Sequence, residues 1–489
     1  MLWPSGEEAG AVGQGVLMDG STVMDDESLM EEPTKGSVVL LDESEPAITL
    51  PDGVATIIDT LEQNGFEAYA VGGCVRDSIL GRTPEDWDIT TNALPEEAKS
   101  LFRKTFDTGI KHGTITVRMS GKSYELTTYR VDGEYSDGRH PDEVRFVSNL
   151  REDLRRRDFT INAMAYHPAH GLIDLFGGKE DLGKRRIRCV GEARERFSED
   201  ALRMLRALRF SAQLDFEIEA ETAEAICVLH ANIRQVSAER VRMELEKLLC
   251  SPHPERLLEA AELGLTGEFL PEWDAMLATE QHSVHHHLDV GRHTLVVVQA
   301  CPLNNKTLRL AGLLHDVAKP VTKKTDKKGV DHFVGHPFVG ERMAAGILRR
   351  LKYDNRTIQE VSRLVRFHDE RLVPGERNAR RLAARIGAEH MDALLVLKRA
   401  DLEGQSDYNK EEKRARLDRL EADFSRCRER GDALSMRELA IDGQRLIHLG
   451  AKRGPQIGEL LGQLFEEVVD EPEKNCLEYL EKRAKELMR

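Results

Sequence analysis

Hydrophobic and polar positions change their rhythm twice along this chain of 489 residues. From about Pro51 to Ile187, short apolar runs such as Gly113–Met119 and Glu143–Val147 alternate with turn-forming residues. That pattern predicts short strands between helices, a mixed α/β head. Tyr69-Ala70-Val71 reads as the end of a buried strand, and Trp87-Asp88-Ile89-Thr90-Thr91 as another. After Gly191 the strand signals stop. Arg203–Phe210, Ala220–Ala231 and Ala238–Leu249 repeat their apolar positions at the helical period, with Ser237-Ala238-Glu239-Arg240 as a helix start. A helical stretch rich in His and Asp runs from His282 to about Gln405. The charged segment Asp407–Arg430 reads as a solvated helix, and Lys452-Arg453-Gly454-Pro455-Gln456-Ile457-Gly458 separates the last two helices. The expected organisation is an acidic extension (1–48), a head (49–190), a helical neck (191–275), a second helical domain (276–405) and a helical tail (406–489).

Composition alters this picture in two places. The formal net charge is −16, a global sign that does not attract polyanions. Residues 1–47 carry eleven Asp/Glu and one Lys, a local net of −10 that leaves −6 elsewhere. Their richness in Gly, Ser, Asp and Glu reads as a disordered extension or an over-long start. Local basic patches, Arg151 to Arg157 and Lys184 to Arg188, remain available to RNA. Seven cysteines without CxxC spacing, no signal peptide and no run of twenty apolar residues point to a reduced, cytoplasmic protein away from membranes.

Three blocks carry candidate chemistry. In the first, Gly72-Gly73-Cys74-Val75-Arg76-Asp77 follows the Tyr69–Val71 strand. A glycine pair lets backbone N–H groups approach a phosphate, and Arg76 can fork two donors onto it. Nine residues on, Asp86-Trp87-Asp88 places two carboxylates at i and i+2, and the strand period of two puts both on one face. Carboxylates beside a phosphate cradle suit Mg²⁺. In the second block, Arg155-Arg156-Arg157-Asp158-Phe159-Thr160-Ile161-Asn162-Ala163, adjacent arginines repel and an anion would relieve them. In the third, Glu199-Asp200-Ala201-Leu202-Arg203-Met204-Leu205-Arg206-Ala207-Leu208-Arg209-Phe210, the arginines recur every three residues on one helix face. Asp200 and Arg203, one turn apart, form either a surface ion pair of little energetic weight or an acceptor–donor pair for a base edge.

Together these blocks resemble the head and neck motifs of class II tRNA nucleotidyltransferases, the CCA-adding enzymes, and the related bacterial poly(A) polymerases. Thr108–Thr114, Glu125–Arg130 and Asp137–Pro141 agree as well, so the resemblance is dense from Pro51 to Leu249. It implies a polymerase-β-like α/β head followed by an all-α neck, and an enzyme that adds CCA to the 3′ end of tRNA from CTP and ATP. Gly72, Gly73, Arg76 and Asp77 would belong to the triphosphate motif. Asp86 and Asp88 would bind the catalytic Mg²⁺ ions. Arg156, Arg157, Asp158 and Asn162 would hold phosphate and ribose. Asp200 and Arg203 would read the base, supported by Arg206 and Arg209. Glu125 would activate the primer hydroxyl, and Arg130 and Asp137 would lie in a loop that reshapes the pocket between C and A addition.

Further along, Asp289–Thr294, His315-Asp316-Val317-Ala318-Lys319-Pro320, Gly335-His336-Pro337, Phe367-His368-Asp369 and Ala400-Asp401 bring His and Asp together with helical ends. Imidazole with carboxylate suits Mg²⁺, Mn²⁺ or a transition metal at a hydrolytic centre. The order resembles the HD phosphohydrolase superfamily. It implies His293, His315, Asp316 and Asp401 as core ligands, His336 and His368 at a second metal position, Lys319 on substrate phosphate, and a divalent ion such as Mg²⁺, Mn²⁺ or Ni²⁺. The cluster His282, His285, His286, His287 reads as the start of this domain. Poly(A) polymerase, or a CC-only or A-only enzyme, is the alternative reading of the head. A metal phosphohydrolase with an RNA-binding head is the alternative of another class, against which intact Asp86 and Asp88 argue.

Overall fold

The computed structural model describes residues 48–132 and 144–489. The expectations for residues 1–47 and for Asp137 lie outside the described residues. The head is built on nine strands: β1 Ala68–Val71, β2 Asp88–Thr91, β3 Thr105–Gly109, β4 Thr114–Met119, β5 Lys122–Thr128, β6 Arg130–Asp132, β7 Val144–Phe146, β8 Met164–His167 and β9 Gly171–Asp174. Seven of them form one sheet in the order β3-β4-β5-β2-β1-β8-β9, while β6 and β7 make a separate antiparallel ribbon. β2 runs antiparallel to β1 and parallel to β5, and its register sets Asp88 opposite Glu125. The helix Asp52–Gln63 buries Val54, Ile57, Ile58 and Leu61, the i, i+3, i+4, i+7 stripe expected of an amphipathic helix on a sheet. Its Gly53 is needed for close approach, because a Cβ there would stand 2.6 Å from the Tyr124 ring.

Beyond the head the chain is almost wholly helical. The neck helix Leu202–Leu214 buries most of its length and is tied to the head by polar contacts. Arg203 Nη2 donates to the Arg156 carbonyl at 3.0 Å, and Arg206 Nε to Asp158 at 2.8 Å. Two very short pairings bring strand residues into the helical region, where strands were not expected, the first by joining the end of the head to the neck. Arg186–Ile187 pairs parallel with Glu217–Ile218, and Lys324–Thr325 pairs antiparallel with Asp331–His332. Two residues are too few to show a period of two, so the pattern could not announce them. The charged helix spans Lys410–Arg430, and Pro455 opens the helix Pro455–Asp470 after the Gly454 break. One continuous apolar core runs from Ile48 through the neck to Leu434, and a second, around Leu446, Leu464, Val468 and Leu480, organises the tail. All seven cysteines are unpaired. No helix among the described residues is long and apolar enough to cross a membrane.

Candidate functional site

Head and neck meet around a cleft of about 430 Å³. Gly72, with φ +85°, ends β1 and turns the chain into the helix Gly73–Ile79; a Cβ there would stand 2.9 Å from Arg157 Nη1. Eight cationic side chains line the cleft against three carboxylates, Asp88, Asp158 and Asp200. Such a surface suits a ligand with several negative charges close together.

Each arginine is held by an internal acid, which sequence reasoning did not foresee. Arg76 forks onto Asp77 at 2.9 Å through both Nε and Nη2, and Nη1 donates to Asn162 at 2.7 Å. Asp77 therefore serves Arg76 and is absent from the cleft lining. The crowding of Arg156 and Arg157 is relieved by Asp153, fully buried one turn earlier, which lies 2.7 Å from Arg156 and 3.5 Å from Arg157. Burial pushes the Asp153 carboxyl up, but the two guanidiniums and a Thr90 hydrogen bond outweigh it and hold the carboxyl below its ordinary range. Asp158, buried, is held low in the same way by Arg206 and Asn162, so it orients these two groups. Arg209 lies 2.8 Å from Glu244 and 3.7 Å over the Phe210 ring; burial lowers its pKa to about 10.

The proposed base readers do not pair with each other. Asp200 sits in extended backbone before the helix, where both carboxylate oxygens meet Arg240, at 2.7 and 3.3 Å. Arg203 donates to Glu199 at 2.6 Å and to two backbone carbonyls. Arg240, Glu244 and Lys247 were not recognised in the sequence. Their spacing of four and three on the helix Ala238–Leu249 was the available signal, since it sets all three on one face.

β2 begins only at Asp88, so Asp86 precedes the strand and the pleat does not bring the two carboxylates together. They still sense each other: burial raises the Asp88 pKa, Arg157 opposes this, and Asp86 adds to it. Glu125, opposite Asp88 across the β2–β5 pair, is raised by partial burial, then by Asp88 and Asp86. Asp88 and Glu125 are thus neighbouring acids whose charges are disfavoured, but Asp86, Asp88 and Glu125 do not bring their oxygens together closely enough here to form one ion's donor set. Arg130 lies in the β6–β7 ribbon, outside the cleft lining, and donates to the His112 carbonyl.

The second cluster is almost wholly buried. His315 caps the helix Lys306–Leu314, and the chain turns there so that His315 and Asp316 address one space. His293 Nε2 lies 3.1 Å from Asp401 and 3.6 Å from Asp316 Oδ2; His315 Nε2 lies 3.1 Å from the same Oδ2. On its other side, Asp316 Oδ1 lies 3.4 Å from His336 Nε2 and 3.5 Å from His368 Nε2. One carboxylate thus joins two His pairs. All four imidazoles present Nδ1 to a backbone carbonyl, those of Gly404, Gly312, Phe333 and Val365, at 2.7–2.9 Å. A carbonyl only accepts, so Nδ1 carries a proton, and in its neutral form each ring turns an Nε2 lone pair inward. Those lone pairs face each other at 3.3 Å (His293–His315) and 3.1 Å (His336–His368), an arrangement a cation between them would relieve. Burial opposes charge on His315, yet Asp316 outweighs it and raises the pKa; Asp316 itself is held well below its ordinary range by His315 and Lys319. Lys319 is engaged by Asp316 and Gln281, each at 2.7 Å, so it reaches the carboxylate before any substrate.

Of the histidine-rich segment, His282 is taken up by buried Asp331 at 2.9 Å and His285 sits against Tyr408. Only His286 reaches the centre, edge-to-face on His293 with ring centroids 4.9 Å apart. A third grouping, Glu62, His167 and His170, lies on the head. There Ala169 N–H donates to His167 Nδ1, which puts the ring proton on Nε2, toward Glu62, and leaves no lone pair for a metal on that nitrogen.

Three family models match in succession: the poly A polymerase head domain over residues 68–188, the probable RNA- and SrmB-binding site of polymerase A over 215–277, and the HD domain over 274–419. The chain is 39% identical over 414 residues to a CCA-adding enzyme of Lactobacillus delbrueckii subsp. bulgaricus, covering 84% of this chain and 92% of that protein. It is 52% identical over 226 residues to a CCA-adding enzyme of Leuconostoc mesenteroides, or 45% of this chain and 56% of that protein. In matches of this higher identity the chain spans about half the length of the curated relatives. The crystal structure of a Bacillus stearothermophilus CCA-adding enzyme in complex with CTP superimposes with a TM-score of 0.67 at 31% identity, over 89% of this chain and 97% of that one.

Proposed function

The chain belongs to the family of CCA-adding enzymes, and from that premise we propose that it adds C, C and A to the 3′ end of tRNA from CTP and ATP, without a nucleic-acid template. The observation that carries this reading is the cleft in which eight cations, Arg203 among them, and the Asp88 and Asp200 carboxylates face one volume. A triphosphate fits the cations, the reacting phosphorus would lie near Asp88, and the base would lie toward Asp200 and Arg203.

In the reaction the terminal 3′-hydroxyl loses its proton, its oxygen bonds to the α-phosphorus, and the bond to pyrophosphate breaks. We propose that Glu125, on the strand beside Asp88 and with its pKa raised, takes that proton. Asp86 and Asp88 would hold divalent metal, for which we propose Mg²⁺. When bound, it supplies charge neutralisation at the phosphates and a lower pKa for the attacking hydroxyl. Arg76, Arg156 and Arg157 orient the phosphates, while Asn162 positions Arg76. Asp200 and Arg203 offer an acceptor and a donor to the base edge, and a good bidentate contact discriminates by about 1–3 kcal/mol.

For the buried cluster we propose divalent-metal-dependent hydrolysis of a phosphate ester, with His293, His315, Asp316 and Asp401 at one ion and Asp316, His336 and His368 at another. Its mixed nitrogen and oxygen donors suit Mg²⁺, Mn²⁺ or Ni²⁺. We further propose a cytoplasmic location and a division of the described residues into head, neck, metal-centre domain and tail.

The test supplies tRNA ending at the discriminator base, at C or at CC with CTP and ATP singly and together, and sequences the product ends. Completion to CCA and a stop is expected. Repeated A from ATP alone would make the head a poly(A) polymerase.

A further inference from the structure

Two chambers, of about 370 and 460 Å³, adjoin the buried His/Asp cluster and share His285, His286, His368, Asp369, Asp401 and Gln405 as common wall. Each by itself is within the range of a small-molecule site, ~300–1,000 Å³. Their remaining walls differ. The first has Leu372 and Leu402 beside Lys413 and Arg416; the second has Phe333 and Val334 beside Lys319. Each therefore offers apolar surface for a ring and a cation nearby. His286 stands at the junction, its buried Nδ1 without a hydrogen-bond partner among the described residues. A buried polar nitrogen that borders both spaces and lacks a partner is placed to hydrogen-bond an oxygen of something lying across them.

We propose that this centre acts on a phosphodiester carrying a group of nucleoside size on each side of the phosphorus, such as a linear dinucleotide linkage, with one group in each chamber and His286 on an ester or phosphoryl oxygen. A phosphomonoester, or a cyclic phosphate whose two ester oxygens belong to one ribose, would fill only one chamber. In the proposed step a water oxygen bonds to phosphorus and one P–O ester bond breaks. The departing alkoxide takes a proton, giving a phosphomonoester and an alcohol. The inference rests on the hydrolytic reading of the cluster.

The test incubates the full-length protein with Mg²⁺, Mn²⁺ or Ni²⁺ and three substrates: the linear dinucleotide adenylyl-(3′→5′)-adenosine, 2′,3′-cyclic AMP and 3′-AMP. It is repeated with Leu372→Trp, which fills the first chamber, and Val334→Trp, which narrows the second. Both positions lie at least partly in solvent, and CTP incorporation by the same preparations reports on folding. The linear diester should be turned over with the highest kcat/KM, and each Trp variant should lower it about tenfold or more. The monoester should be slowed by only one of the two. Preference for 3′-AMP or the cyclic ester, or equal slowing of all substrates by both variants, would overturn the two-chamber assignment while leaving a hydrolase. No hydrolysis of any ester with any metal would overturn the hydrolytic reading itself, and this inference with it.

Discussion

Head cleft and buried cluster present opposite solutions to holding a charged ligand. In the cleft, long arginines, several of them largely buried, are each steadied by an internal acid: Arg76 by Asp77, Arg156 by Asp153, Arg206 by Asp158, Asp200 in turn by Arg240. In the buried cluster, short imidazoles are fixed by backbone carbonyls, which decide their tautomer before any ligand arrives. The first arrangement tolerates a triphosphate that comes and goes, and can exchange one anion for another. The second presents lone pairs at fixed positions, which suits an ion that stays. On the proposed function, one chain would separate transient anion binding from resident cation binding by the length and stiffness of the side chains employed.

The sharpest way to break the comparison is to remove the one residue each site cannot replace. Asp88→Ala should lower CTP incorporation by ~10³-fold or more, because metal-based charge stabilisation contributes several kcal/mol; ester hydrolysis by the same protein should be unchanged. Asp316→Ala should do the reverse. Deleting the carboxylate common to both His pairs should abolish tight Mn²⁺ binding in calorimetry and hydrolysis with it, leaving CTP incorporation within about twofold. Loss of both activities in either variant would mean that the two sites are not independent.

A smaller effect separates positioning from contact in the cleft. Asp200→Ala, Arg203→Ala and Arg240→Ala should each reduce the kcat/KM preference for CTP and ATP over UTP and GTP by about 1–3 kcal/mol. Competition by pyrophosphate should change little, since none of the three is assigned to phosphate. A wild-type nucleotide preference in Asp200→Ala would remove the base-reading role.

The smallest expected effect concerns stability. Asp153 has a carboxyl pKa held below its unfolded value of ~3.9. A depressed carboxylate contributes stability that is present above the unfolded pKa and lost as pH falls through the folded one. Asp153→Asn should therefore lower the head's unfolding free energy by about 1–3 kcal/mol at pH 7. The difference from wild type should shrink below about pH 4. Thermal melts at pH 7 and pH 3.5 check this; an equal deficit at both would assign the loss to packing.

Much of the fold was legible because its rhythm is long. The neck helix around Arg203–Phe210 and the alternation through β4 show themselves over six or more residues, whereas Glu217–Ile218 and Lys324–Thr325 are too short to have a period. Site residues were legible where they cluster in the chain, as in Gly72–Asp77 or His315-Asp316. Arg240, Glu244 and Lys247 were passed over because they lie some forty residues from the motif they support, and Asp153 because one acid before three arginines looks like a solvated helix turn.

What the sequence determined by itself is the inventory: which donors, acceptors and imidazoles exist, in what order, and on which elements. Only the tertiary structure decided their partners. It set Asp77 against Arg76, Lys319 against Asp316, and Glu125 on the strand beside Asp88. The reason is that pairing energies fall steeply with distance and with exposure. Distance between residues far apart in the chain is set by sheet register and helix packing, and no local pattern records it.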